Sequence, residues 1–161
     1  MTVKEYNTIV EQWADNVYRF VLSNAKDEDI AKDVVQDTFE KFWIKKDTVQ
    51  IEKAKSYLFT TAYHTFIDFT RKNKRMTDFG EVDFNEHKDY SQYSDANEIL
   101  HQAINQLPEK QRAVILLRDY EGYNYEEIAE MTELSLSQVK VYIFRGRSYL
   151  KKILGSVETL I

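Results

Sequence analysis

The sequence predicts an all-α protein: two small helical domains joined by an acidic flexible linker. Three observations predict it. Only 4 Gly and 1 Pro occur in 161 residues, roughly 3% against about 12% in average usage, and turn-rich sheet folds lean on both. Apolar residues recur at spacings of three and four along most of the chain. Acidic charge is concentrated in one stretch, where Asp78, Glu81, Asp83, Glu86, Asp89, Asp95 and Glu98 face a single Lys88. That stretch also holds Gly80, Asn85, Ser91 and Ser94 with little apolar periodicity, as expected of a linker over 77–95. It leaves domains at 1–76 and 96–161, each long enough for a small core.

The elements follow in order. Tyr6, Ile9, Trp13, Val17, Phe20 and Val21 lie on one face of a first helix. A second runs from about Asp27 to Lys45 on the pairs Ile30/Ala31, Val34/Val35, Thr38/Phe39 and Phe42/Trp43. A third, from about Ala54 to Asn73, buries Leu58, Ala62, Phe66 and Phe69. In the second half, Asn97 to Leu107 form a short helix. Pro108 suits the first turn of the next one, because that amide has no helical partner. Ala113, Leu116, Leu117 and Tyr120 line this helix and Gly122 ends it. Tyr125–Met131 and Leu136–Leu154 complete the set.

Composition excludes several chemistries. The chain has no Cys, hence no disulfide, iron–sulfur cluster or thiol catalysis. The three His, at 64, 87 and 101, lack metal-ligand spacing, and no catalytic constellation or cofactor motif accompanies them, so neither an enzyme nor a cofactor is expected. Asp78-Phe79-Gly80 stands without the other kinase motifs. No apolar run approaches the 18 or so residues of a membrane helix, and the start lacks the apolar core of a signal peptide. The expectation is a cytoplasmic protein with no direct membrane insertion.

Residues 124–154 carry the informative pattern. Glu126-Glu127-Ile128-Ala129-Glu130-Met131 form a short helix, Ser135 to Ser137 supply a turn and N-cap, and a second helix follows with Val139, Ile143 and Leu150 inward. Its other faces carry Lys140, Arg145, Arg147, Lys151 and Lys152, with no acid from 135 to 157. A two-helix unit with a basic second helix suits the DNA major groove. Read alone, the same face is also an ordinary solvated one. A polymerase-independent regulator and a protein-interaction bundle both remain open at this level.

Longer stretches narrow the choice. Leu107-Pro108-Glu109-Lys110-Gln111-Arg112, Leu116 through Ala129, and Val139-Lys140 resemble the fourth region of sigma-70-type transcription initiation factors, most closely the extracytoplasmic-function (ECF) class. Asp33-Val34-Val35-Gln36-Asp37-Thr38-Phe39 with Phe42-Trp43 resembles the region 2 helix that grips the polymerase clamp. Tyr57 through Asp68, followed by Arg71-Lys72, resembles the part of region 2 that opens the promoter. The resemblance spans nearly the whole chain except the linker, with two motif sets in the right order.

It implies an RNA polymerase sigma factor that binds bacterial core RNA polymerase and reads the minus-10 and minus-35 elements of promoter DNA. The stripe Asp33, Gln36, Asp37 and Glu40, spaced i, i+3, i+4, i+7, is implied to meet the polymerase. Tyr57, Phe59, Thr60, Thr61, Tyr63, His64, Arg71 and Lys72 are implied to hold minus-10 DNA; aromatics beside a positive track suit single strands. Lys140, Val141, Phe144, Arg145 and Arg147 match the minus-35 readers. Family behaviour also implies an anti-sigma factor as a partner. Three positions depart from the pattern. Glu133 replaces the usual turn glycine, which implies a strained or re-routed turn; Thr132 replaces an aliphatic, and His64 stands where Asn is frequent. The 18 residues 77–94 reach at most about 60 Å, roughly 18 base pairs, so the two halves can sit on separate elements.

Overall fold

Helix boundaries follow from capping chemistry. In a computed structural model, which describes residues 1–76 and 95–158, helix α1 runs Val3–Ala25. Thr2 and Glu5 form a reciprocal capping box, with the Glu5 amide donating to Thr2 Oγ1 at 3.0 Å and the Thr2 amide to Glu5 Oε1 at 2.9 Å. These bonds hold the Glu5 carboxyl below the usual range. Lys26 ends α1 in the left-handed region at φ 58°. Asp27 then caps α2 (Glu28–Lys45) by accepting from the Asp29 and Ile30 amides. A single 3-10 turn over Ile51–Lys53 leads into α3 (Ala54–Met76).

These three helices pack as one unit around Val17, Val21, Val34, Phe42, Leu58 and Phe59, all nearly or fully buried. Each such side chain contributes about 1.5–3 kcal/mol when buried. Tyr6 stacks on Phe42 with ring centroids 5.0 Å apart and donates its hydroxyl to the Phe39 carbonyl at 2.9 Å, so α1 is clamped to α2. The predicted pair Phe42/Trp43 divides: Phe42 is buried, while Trp43 is 43% exposed. Of the stretch read as a linker over 77–95, residues 77–94 lie outside the described residues, while its last residue, Asp95, and the neighbouring acid Glu98 belong to a helix.

The second unit opens with α4 (Asp95–Gln106), two residues ahead of the predicted Asn97. Pro108 occupies the N-cap of α5 (Glu109–Ile115), one position earlier than a first-turn proline. Buried Arg112 reaches back from α5, donating to the Asn105 and Leu107 carbonyls at 3.1 and 3.2 Å. It thereby satisfies carbonyls left over where α4 ends. Burial pushes its guanidinium pKa down, and Glu109 opposes the shift.

Helix α5 does not continue regularly to Gly122. Leu116–Tyr120 form a π-helical turn, which carries one more residue per hydrogen-bonded ring than an α-turn. Leu116 and Leu117 of this turn are buried, while Tyr120 at its end, on the same apolar spacing, is 51% exposed. Gly122, at φ 79°, reverses the chain, and the Tyr123 amide donates back to the Leu117 carbonyl at 3.1 Å. Helices α6 (Tyr125–Thr132) and α7 (Leu136–Glu158) follow. Among the described residues no strand occurs.

Candidate nucleic-acid interface

Helices α6 and α7 form the predicted helix-turn-helix. Asn124 and Glu127 cap α6 reciprocally at 2.8 and 3.0 Å. Ser135 and Gln138 do the same for α7 at 3.1 and 2.9 Å. Between them, Glu133 takes φ 61° and ψ 26°, the left-handed conformation that glycine adopts most easily. The Thr132 hydroxyl, inside the unit, donates to the Ile128 carbonyl at 2.7 Å.

One side of α7 is fixed by the core. Val139, Ile143 and Leu150 are buried, and Gly146 lies so close to α5 that a Cβ there would sit 2.8 Å from Ile115 Cγ1. The opposite side shows Lys140, Val141, Phe144 and Arg145 to solvent, Phe144 at 72% exposure. A phenyl ring left this bare on a helix with a well-filled core face serves nothing inside the unit. Apolar side chains read thymine methyls, and cations read guanine or phosphate. Arg147 differs from its neighbours. Its Nε donates to Asp119 at 3.2 Å, and its NH2 donates to the other oxygen of the same carboxylate. That bond holds the guanidinium above its ordinary range.

The predicted minus-10 set divides in the same way. Tyr57, Thr60, Thr61 and His64 are half-buried on α3, and Arg71 and Lys72 are exposed near its end. Phe59 and Tyr63 are core side chains instead. Positions 58, 59, 62, 63 and 66 form the arc of α3 turned toward α1 and α2, and Phe59 packs edge-on against Phe20 at 5.4 Å. Neither ring can stack on a base without unpacking the unit. The Tyr63 ring instead meets His64 edge-on at 5.4 Å.

On α2, Asp33, Gln36 and Glu40 are exposed and Asp37 is half-buried. The Gln36 side chain reaches Glu40 at 3.4 Å. Asp37 pairs with Lys41 at 3.3 Å, and Lys41 also donates to Thr65 of α3 at 2.9 Å. Sequence reasoning missed the open apolar groove beside this stripe, lined by Tyr6, Phe39, Trp43 and Ile44 together with Gln36 and Glu40. Its only signal was Ile44, an apolar residue immediately after the Phe42/Trp43 pair and outside the helical spacing. Ile44 is 75% exposed. Among the described residues no acid, His or Cys cluster could hold a metal, and no helix is long and apolar enough to cross a membrane.

A three-helix unit with an acidic, partly apolar outer helix, followed by a helix-turn-helix unit with a cationic second helix, is the architecture of a two-region transcription initiation factor. Comparison with known proteins agrees. Residues 9–76 match the family Sigma-70 region 2, and residues 97–150 match Sigma-70, region 4. The chain is 30% identical over 158 residues to the ECF RNA polymerase sigma factor SigM of Bacillus subtilis, covering 95% of each. It is 32% identical over 142 residues to the RNA polymerase sigma factor SigV of the same organism, covering 86% of this chain and 84% of SigV. Among solved structures, the sigma factor RpoE of Bartonella quintana, in complex with the anti-sigma factor NepR, superposes with a TM-score of 0.78. The two share 26% identity over 95% of this chain and 98% of RpoE. The chain belongs to the ECF sigma factors of the sigma-70 family, and its role is that of an RNA polymerase sigma factor.

Proposed function

We propose that the two units divide the work of promoter-specific initiation. In this reading residues 1–76 bind core RNA polymerase and take hold of minus-10 DNA, 96–161 read minus-35 DNA, and 77–95 tether them. The polymerase meets α2 through Asp33, Gln36, Asp37 and Glu40 and through the groove flanked by Trp43 and Ile44. Minus-10 DNA meets α3 at Tyr57, Thr60, Thr61, His64, Arg71 and Lys72. Minus-35 DNA meets α7 at Lys140, Val141, Phe144 and Arg145. The protein acts by binding, with no catalysis of its own, and works in the cytoplasm where its polymerase is. The complex of RpoE with NepR supports an anti-sigma factor as a further partner.

The observation that carries the reading is α7. Its buried face is filled, and its free face combines Lys140 and Arg145 with an unburied Val141 and Phe144. The test is reconstitution with bacterial core polymerase. The full chain should be captured by core polymerase and direct transcription from DNA selected out of a random promoter library. A polymerase-independent regulator would select the same DNA with and without core enzyme, and that result would overturn the proposal.

A further inference from the structure

The pairing of Arg147 with Asp119 gives this arginine a role different from that of its neighbours. Position 147 lies seven residues after Lys140, almost two full helical turns, so the two share a face of α7. On that face Arg147 should point at DNA. Instead its guanidinium turns sideways to the π-helical turn over 116–120 and is gripped on two nitrogens by Asp119. The side chains remain 47% and 35% exposed, so the pair is reachable by solvent but closed on itself.

The surroundings extend the contact. Tyr125, at the start of α6, also favours the charged form of Arg147. Arg118 lies over the Tyr125 ring with its guanidinium carbon 5.1 Å from the centroid, and donates to the Tyr123 carbonyl at 3.0 Å. The π-turn, the start of α6 and the middle of α7 are therefore tied by Asp119, Arg147, Tyr125 and Arg118. Asp119 itself lies within the π-turn, so the turn is the element to which Arg147 is tied.

We infer that Asp119 is a positioning residue for the reading helix: it holds Arg147 as a strut between the π-turn and α7, and Arg147 makes no phosphate contact. The pair is electrically neutral, so it releases no counterions from DNA. Lys140 and Arg145 are left as the charged readers on the free face. The strut fixes how α7 is rotated and tilted as it meets a duplex. This deepens the proposal that α7 reads DNA and rests on it.

The test uses the full chain and two probes: a random-sequence duplex pool, and the duplex enriched from it by selection with the unaltered protein. Affinity for each is measured across a salt series for Asp119→Asn, Arg147→Gln, Arg147→Lys and Arg145→Ala. Both Asp119→Asn and Arg147→Gln should lower the preference for the selected duplex about two- to fivefold, the range for an exposed pair. The pair of changes together should do no more than either alone, and the salt slope on the pool should not move. Arg147→Lys should fail as Arg147→Gln does, because lysine keeps the charge but loses the fork. Arg145→Ala should lower the slope by about one. Loss of folding alone would reduce the active fraction without touching preference or slope.

A slope lowered by about one in Arg147→Gln and restored in Arg147→Lys would overturn the strut, since a phosphate contact needs only charge. Tighter pool binding by Asp119→Asn would overturn it as well, by showing that Asp119 restrains a DNA contact. If the Arg145, Asp119 and Arg147 variants all leave binding unchanged, the strut fails; if Lys140→Ala and Phe144→Ala leave it unchanged as well, α7 is not the reading helix, and the broader proposal fails with it.

Discussion

Gly146→Ala should destabilise the second unit, although alanine is the better helix former. Both glycines of α7, Gly146 and Gly155, are helical, so each substitution gains about 0.8–1.0 kcal/mol of intrinsic propensity. Space separates them. A Cβ at 155 meets nothing within 4 Å, whereas at 146 it would lie 2.8 Å from Ile115 Cγ1, 3.1 Å from Ile115 Cδ1 and 3.8 Å from Leu107 Cδ1. Carbon atoms prefer about 3.5–4.0 Å, so Ile115 or α7 must move by about 0.7 Å. Ile115 is 1% exposed and has nowhere to go. Overpacking of this kind costs about 1–3 kcal/mol. Set against the propensity gain, the net loss is about 1 kcal/mol, or about 4–8 °C in a unit of this size.

The two units can melt separately, so one global transition is not assumed. Both tryptophans, Trp13 and Trp43, lie in the first unit, and their fluorescence isolates it. Helical circular dichroism then reports the second by difference. Gly146→Ala should lower the second transition and leave the tryptophan transition in place, while Gly155→Ala should not lower either. Ile115→Ala alone should cost about 2–5 kcal/mol. Combined with Gly146→Ala it should cost less than the two effects added, because the new methyl enters the space vacated. A Gly146→Ala variant as stable as Gly155→Ala, or strict additivity with Ile115→Ala, would refute the close approach of α5 and α7.

Four further outcomes follow from the same geometry. Glu133→Gly should raise the second transition, by up to about 1 kcal/mol, since it relieves a left-handed non-glycine residue at the cost of glycine's freedom when unfolded; calorimetry on the full chain checks it. Phe59→Ala should destabilise the first unit by about 3–5 kcal/mol, whereas His64→Ala should leave its tryptophan melt unchanged and reduce promoter opening, read by permanganate footprinting with core polymerase. Charge reversal at Asp33 and Asp37 should weaken capture by core polymerase at modest cost in stability, because exposed Asp33 tolerates substitution within about 0.5 kcal/mol and Asp37 gives up a solvent-accessible pair with Lys41; undiminished capture would remove α2 from the interface. Tyr123 is buried, and that burial raises its pKa well above the ordinary 10.0. The folded state therefore keeps the proton after the unfolded chain has lost it, so its contribution is complete below about pH 10 and declines as pH rises further, by up to 1.36 kcal/mol per unit. Tyr123→Phe should flatten this part of the alkaline unfolding curve.

Much of this was legible in the sequence because helices announce themselves by spacing and caps. The seven α-helices of the described residues lie close to their expected places, and of the strained or re-routed turn expected where glycine is missing, the strained form is the one found, with Glu133 at φ 61°. What spacing cannot supply is which side of an aromatic-rich helix turns inward. Tyr57, Phe59, Tyr63 and His64 offer two aromatic arcs on α3. Only the positions of Phe20 and its neighbours on α1 decide that Phe59 is core. The π-turn was equally invisible, because an inserted residue leaves the same apolar letters in place and changes only their phase. Spacing alone therefore does not separate exposed Tyr120 from buried Leu116 and Leu117, and it gives no sign of the Asp119–Arg147 pair, formed across 28 residues.

The unburied apolar side chains bear on how the two units work. Isolated exposed hydrophobic residues are normal on any protein, and Val3 and Ile51 need no account. Trp43 and Ile44 are different, because they flank one groove with Tyr6 and Phe39 beneath Gln36 and Glu40. Val141 and Phe144 are different as well, because they share the free face of a cationic helix. On α7 the apolar centre is edged by cations; on α2 it lies beside Glu40 and the stripe from Asp33, with Lys46 over the Trp43 ring at 4.3 Å and Lys41 paired to Asp37. Charge brings a partner of opposite sign at long range and sets its orientation, and removal of the apolar centre from water then supplies affinity at about 25 cal/mol per Å². The two faces therefore suit different partners: the cationic face of α7 suits a polyanion, and the mixed, partly acidic face of α2 does not. Truncating Phe144 to alanine should therefore weaken duplex binding without changing its salt slope, while the Asp33 and Asp37 reversals should change the salt dependence of polymerase capture. If Phe144→Ala leaves duplex affinity intact, the ring lies outside the DNA contact, and the apolar half of the α7 argument falls while its charged half stands.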